Sequence, residues 1–183
     1  MSDPVYVPGE GPATAEFMIV GEAPGFQEEQ QRRPFVGPSG KLLRYCLDRK
    51  GIDSARNVYI TNVCHYRPPS NDIRKFAPKR KKHGRVPNSL VVQGLIELYR
   101  DIERVKPKVI IPVGNLALWA LTGQEDISRR RGSIYKFSMD MQRAMLVGGL
   151  FADEKELTRV LKYCMTVKIV PTWYPAAVLR MYN

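Results

Sequence analysis

The sequence predicts an α/β fold, a three-layer sandwich in which a central, mostly parallel four-stranded sheet is flanked by helices. Two observations carry that expectation. Four short apolar runs of strand character alternate with amphipathic helical stretches, and each run stops abruptly at a Gly or Pro. Alternating strands and helices are the mark of βαβ units, whose ligand sites lie at the carboxyl ends of the strands. The length of 183 residues suits a single domain, and 44% apolar against 26% charged residues is an ordinary globular composition.

The first strand is Phe17 to Val20, closed by GEAPG, because a short apolar run meeting Gly and Pro cannot continue as a strand. A helix follows over Ser39 to Lys50, with Leu42, Leu43, Cys46 and Leu47 at helical spacing and Gly51 as its stop. Val58 to Val63 forms the second strand and runs into Pro68 and Pro69, which lack the amide a ladder needs. Leu90 to Val105 carries Leu90, Val91, Leu95, Leu98, Ile102 and Val105 on one helical face. Val109 to Val113 is the third strand, Gly114 ends it, and Leu116 to Leu121 begins another helix. A hairpin-like stretch is expected after Ile134, a helix over Glu154 to Tyr163, and a fourth strand at Val167 to Val170 before Pro171.

The charge balance narrows the function. With 29 Lys and Arg against 18 Asp and Glu the chain carries a formal +11, which points to a polyanion such as nucleic acid. A membrane role is disfavoured, since no apolar run reaches the ~18 residues of a membrane span and the N-terminal residues lack a signal pattern; a cytoplasmic monomer is expected. The segment from Arg74 to Arg85, RKFAPKRKKHGR, holds seven cations and no carboxylate, so removing it would lower +11 to +4. It reads as a solvated loop that tracks phosphates. Smaller clusters stand at Arg32–Arg33 and Arg129–Arg131. Three cysteines, Cys46, Cys64 and Cys164, without CxxC spacing build neither a disulfide framework nor a four-thiolate metal site, and buried free thiols are expected.

The strand exits then become specific. GEAPGFQEE (Gly21 to Glu29), RPFVGPSGKLL (Arg33 to Leu43), VYITNVCHYRPP (Val58 to Pro69), VIIPVGNLALWAL (Val109 to Leu121) and TWYPAAVLR (Thr172 to Arg180) form five collinear blocks. In this order they resemble the uracil-DNA glycosylase superfamily, and most of all its iron-sulfur branch, family four. The resemblance covers most of the chain and implies a DNA glycosylase that flips a nucleotide out of the stack and hydrolyses its N-glycosidic bond. It implies that Phe35 stacks on the base and that Asn62 reads its Watson–Crick edge, an amide offering one donor and one acceptor to an imide. Gly21, Ala23 and Gly25 would bring backbone close to the base. Glu22 and Glu28 are the carboxylates at that exit, able to position water or steady a cationic sugar, and the sequence does not decide between them. Tyr174 stands at the catalytic position of the last block. Lys79, Arg80, Lys81, Lys82, His83, Arg85 and Arg180 would hold the DNA backbone. Read without the resemblance, Phe35 would be ordinary packing, Asn62 a turn residue and the two glutamates solvated loop carboxylates.

The departures from that family are as informative. The branch has four cluster cysteines, whereas here the N-terminal pair is missing, Tyr66 falls at the third position and Gly94 at the fourth, so no iron-sulfur cluster and no metal is expected. The last block ordinarily offers a histidine to the leaving base, and here Tyr174 takes its place. A neutral phenol donates differently, and losing an oxyanion-type donor commonly costs about 100- to 1000-fold. KRKKH (Lys79 to His83) is similar in spacing to an inserted loop of a related branch whose histidine traps uracil covalently. The chain is thus expected to be one such domain with a basic insertion at about 72–88 and a second at about 137–166. It stops at Asn183, where related domains continue with a closing helix, so it reads as a compact member or as a fragment of a larger protein. Two further readings stay open: a DNA-binding module without turnover in a replication or repair assembly, and covalent capture by His83.

Overall fold

The computed structural model describes residues 3–80, 84–139, 151 and 153–175. The chain runs β1 (Phe17–Gly21), α1 (Phe26–Gln31), α2 (Pro38–Asp48), β2 (Val58–Asn62), a two-residue hairpin of β3 (Lys79–Arg80) and β4 (Gly84–Arg85), α3 (Ser89–Val105), β5 (Val109–Pro112), α4 (Asn115–Thr122), α5 (Ile127–Arg130), β6 (Tyr135–Lys136), α6 (Glu154–Cys164) and β7 (Lys168–Ile169). The main sheet has the order β2-β1-β5-β7-β6. Its first four strands are parallel, and β6 pairs antiparallel with β7. The expected four strands are therefore corrected to five. The fifth is two residues long with one half-buried side chain, too short to leave a period-2 pattern.

Alternation along β1 explains the three layers. Met18 and Val20 point into a core shared with α3, α4 and α6, where Leu95, Leu98, Ile102, Leu116, Leu121 and Val160 pack. Ile19 points the other way, against Leu43 and Leu47 of α2 and with Ile60 and Val113. A strand buried on both faces must be apolar at consecutive positions, as FMIV and VIIPV are. Helix α3 buries Val91, Leu95, Leu98, Ile102 and Val105, and its N-cap Asn88 accepts a hydrogen bond from the Val91 amide, the usual service of a cap to an orphan donor. Helix α6 packs along α3, tied on the rim by Arg100–Glu156 and Arg159–Glu103 pairs.

Two elements lay beyond the periodicity. Helix α1 buries no residue, so it shows no apolar stripe. The basic stretch after β2 is more docked than a solvated loop: it makes two short 3-10 turns, Pro69–Asn71 and Ile73–Lys75, sinks Ala77 completely and closes as the β3–β4 hairpin. Ahead of β1, Tyr6 stacks on His65 at 5.1 Å and donates to Glu97 at 2.7 Å, and the amide of Val7 bonds the carbonyl of His65. Among the described residues no helix is long and apolar enough to cross a membrane.

Candidate functional site at the strand exits

The parallel register sets the floor of the site. Gly21 ends β1 opposite Asn62, which ends β2. A β-carbon built on Gly21 would lie 2.3 Å from Asn62 Oδ1 and 2.7 Å from the Phe35 ring, so only glycine lets those two side chains close over the strand end. Asn62 is 2% exposed, and its side-chain amide forms no hydrogen bond among the described residues. Burying an amide without partners is costly, and such groups in native proteins ordinarily find a partner.

Phe35 is held by the loop before it. It has φ 53, the left-handed region, and Glu28 fixes the surrounding backbone: one carboxylate oxygen accepts from the Val36 and Gly37 amides at 2.9 and 2.7 Å, the other from Gly25 at 3.1 Å. Three amides on one carboxylate make Glu28 a clamp joining the GEAPG turn to the Phe35 turn. Glu22 is placed differently. Its Oε1 accepts from the Leu116 amide at 2.8 Å, at the N-terminus of α4, while the residue lines the cavity above the strand ends. Burial raises its pKa above the ordinary carboxylate range, with the α4 amides and the charge of Arg85 opposing. Both glutamates line the cavity; they differ in what holds them, Glu28 by three loop amides and Glu22 by the N-terminus of α4.

That cavity is about 500 Å³ and is lined by Glu22, Ala23, Gly25, Phe26 and Tyr174 among others. Tyr174 lies beside Phe35, ring centroids 6.3 Å apart at 50°. An open groove of about 1360 Å³ continues from it through Glu22, Asn71 and Ile73 to Arg74, Lys75, Lys79 and Arg130. Gly21, Ala23, Gly25, Glu22, Glu28, Phe35, Asn62 and Tyr174 are accordingly brought into one neighbourhood.

The basic residues are distributed less simply. Arg85 is 8% exposed; it binds the carbonyl of Ala77 at 3.0 Å and Glu125 at 2.8 Å, and Lys79 pairs with the same Glu125. Burial alone would raise Glu125, but Lys79 and Arg85 hold its carboxyl below the usual range. Arg74 pairs with Asp72, whose carboxyl its hydrogen bonds pull down to about 2. Lys81, Lys82, His83 and Arg180, and the side chain of Arg80, lie outside the described residues. Sequence reasoning missed the opposite rim. There Arg130 lines the groove, Arg131 lies 4.1 Å over the Trp173 ring, and Arg130 and Arg131 form no ion pair among the described residues. The Arg129–Arg131 run was visible as a cluster; its closeness to Trp173 was not.

The cysteines do not fit the iron-sulfur cluster that the sequence resemblance brings with it. Such clusters are held by four thiolates, and the chain has three cysteines. Cys64 and Cys164 are buried, while Cys46 is exposed on α2 and corrects the expectation that all three would be buried. Burial pushes the thiol of Cys64 up to about 11 and that of Cys164 to about 12, which keeps both protonated. At Gly94, the position where a fourth ligand would fall, a β-carbon would lie 2.0 Å from the Val63 carbonyl oxygen.

Comparison with known proteins agrees with this geometry. The family model described as the uracil DNA glycosylase superfamily matches residues 8–183. A type-4 uracil-DNA glycosylase of Pyrobaculum aerophilum is 34% identical over 175 residues, 95% of this chain and 73% of that protein. The enzyme of the same name from Archaeoglobus fulgidus is 33% identical over 180 residues, 95% and 72% of the two chains. A DNA polymerase of Bacillus phage SP01 is 32% identical over 134 residues, covering 73% of this chain and 13% of the polymerase. Likeness that extends from the segment ahead of β1 through the TWYP exit, and along most of each glycosylase, shows that this chain belongs to the uracil-DNA glycosylase superfamily, with its similarity to the type-4 branch.

Proposed function

We propose that the protein binds DNA, extrudes a uracil or 5-substituted uracil nucleotide and hydrolyses its N-glycosidic bond. The observation that carries this reading is Asn62: an amide buried against Gly21 and Phe35 at the end of β2, unpartnered among the described residues. A uracil imide offers that amide one acceptor and one donor, while Phe35 supplies an aromatic face. As the bond to N1 breaks, the electron pair leaves with the base and the sugar becomes oxocarbenium-like. An ionised Glu22 lining the cavity is suited to steady that cation and to orient the attacking water, whose oxygen bonds the sugar carbon and whose proton neutralises the departing base anion. Tyr174 can give the departing base a neutral hydrogen bond. Insertions at about 72–88 and 137–166, and a cytoplasmic, monomeric character, belong to the same proposal.

Incubation with uracil-containing oligonucleotides followed by alkali should produce a strand break. No break on either single- or double-stranded substrate overturns excision. A second reading, a DNA-binding module without turnover, is favoured by the Tyr174 ring standing against Phe35 where a base would stack; the similarity to a stretch of a phage polymerase supports its place in a replication or repair assembly. Tyr174→His separates the two. A gain of about 100-fold in base release would mark a competent site short of one donor, whereas no gain, with salt-dependent DNA binding intact, would mark the binding module. DNA binding that is undetectable overturns both.

A further inference from the structure

Phe26, which lines the cavity, and Trp173, next in sequence to the cavity residue Tyr174, each carry a guanidinium partner, and neither is used by the chemistry above. Phe26 lines the cavity and is 55% exposed, an unusual position for a large apolar ring. Arg67 lies 5.1 Å over it, fastened by Glu29 at 3.0 Å and by Asn71 at 2.6 Å. Trp173 immediately precedes Tyr174. Arg131 stacks on its ring, and Ser128 holds both partners, its hydroxyl accepting from the indole N–H and its carbonyl from the Arg131 guanidinium. Arg67 continues from β2 and Trp173 from β7, with β1 and β5 between them. Strands β2 and β7 lie three strand spacings apart, about 14 Å, and the end of β1 that leads into Glu22 lies between them.

We propose that Phe26–Arg67 and Trp173–Arg131 are stacking platforms for the bases on either side of the extruded nucleotide, which makes single-stranded DNA the preferred partner. Aromatic faces and guanidinium planes take any base, because every base presents a π-face. Bases in a duplex already stack on one another and cannot use both platforms without melting. The pre-fastened guanidinia lower the ordering cost of contact. This inference rests on the DNA reading above and adds to it which strand form is bound and by which residues.

The test uses the full chain and an oligo-dC strand, alone or paired with oligo-dI, so that neither uracil nor a 5-substituted uracil is present and excision plays no part. Single-stranded DNA should bind more tightly than the duplex and quench tryptophan fluorescence, Trp173 being half-buried while Trp119 lies in the core. Phe26→Ala and Trp173→Ala should each weaken single-strand binding about 5- to 150-fold, the range for loss of one stacked base, while leaving duplex affinity and the salt slope in place. Trp173→Phe should retain affinity and lose the quench. Unchanged single-strand affinity in both alanine variants, or equal losses on duplex, would overturn the platforms while leaving DNA binding standing. Absence of all DNA binding by the parent chain would instead overturn the reading on which they rest.

Discussion

Residues 74–85 carry seven cations and residues 129–131 carry three, yet the two stretches meet different surroundings along one groove. In the longer stretch Arg74, Lys79 and Arg85 are all ion-paired, two of them to a single carboxylate forty residues or more away in sequence. In the shorter one only Arg129 pairs, with Asp126, among the described residues. A run of cations in a sequence is therefore not a measure of free charge at a surface. Glu125 turns part of the longer stretch into structure, and Arg85 acts inward, lowering Glu22 by its charge.

The largest test of that contrast is Glu125→Ala. It leaves the buried Arg85 without its carboxylate, and stripping one partner from a buried pair costs about 3–5 kcal/mol; urea denaturation should show a loss near the lower figure, because Ala77 still accepts from the guanidinium. A loss within the noise would mean that the hairpin is not docked. Next in size, Arg130→Ala and Arg131→Ala should each make the plot of log affinity against log salt shallower by about one unit, while Arg74→Ala leaves the slope where it was. If Arg74→Ala flattened it as much, the contrast between the stretches would fail.

The finest effect is on pH dependence. Glu22 acts ionised, and burial raises its pKa, so base release should decline on the acid side at a higher pH than an ordinary glutamate would give. Arg85→Met removes an influence that lowers that pKa and should move the limb further up, by about a unit at most. The stability linkage has the matching sign. A carboxyl raised in the folded state contributes most below its unfolded pKa, and that contribution is lost as pH rises through the folded value. A limb that stays in place in Arg85→Met would confine Arg85 to holding the hairpin.

Much of this was legible in the residues, for reasons that can be named. The consecutive apolar positions of FMIV, VYIT and VIIP announce strands buried on both faces, and Leu95, Leu98, Ile102 and Val105 announce the inner stripe of α3. Glu22, Glu28, Phe35, Asn62 and Tyr174 were singled out by the family resemblance of the blocks that carry them; read alone, they would be packing, turn and loop residues. The different hydrogen-bond partners of the two glutamates were not legible, since they depend on where α4 begins in space and on which amides the Phe35 turn turns inward. Helix α1 and β6 escaped because one buries nothing and the other spans two residues. The Arg131–Trp173 stack joins positions forty-two apart, and no local pattern encodes such a meeting.

The left-handed backbone of Phe35 has a consequence for substitution. An L-residue in that region costs about 1–2 kcal/mol relative to glycine, and alanine would keep the cost while losing the ring. The usual order of damage should therefore invert at this position: Phe35→Gly should be the better tolerated of the two truncations in thermal stability, though neither retains a face on which a base could stack. At position 35 the residue best suited to the backbone differs from the residue suited to the ligand, and the Glu28 clamp is what allows the second to be kept.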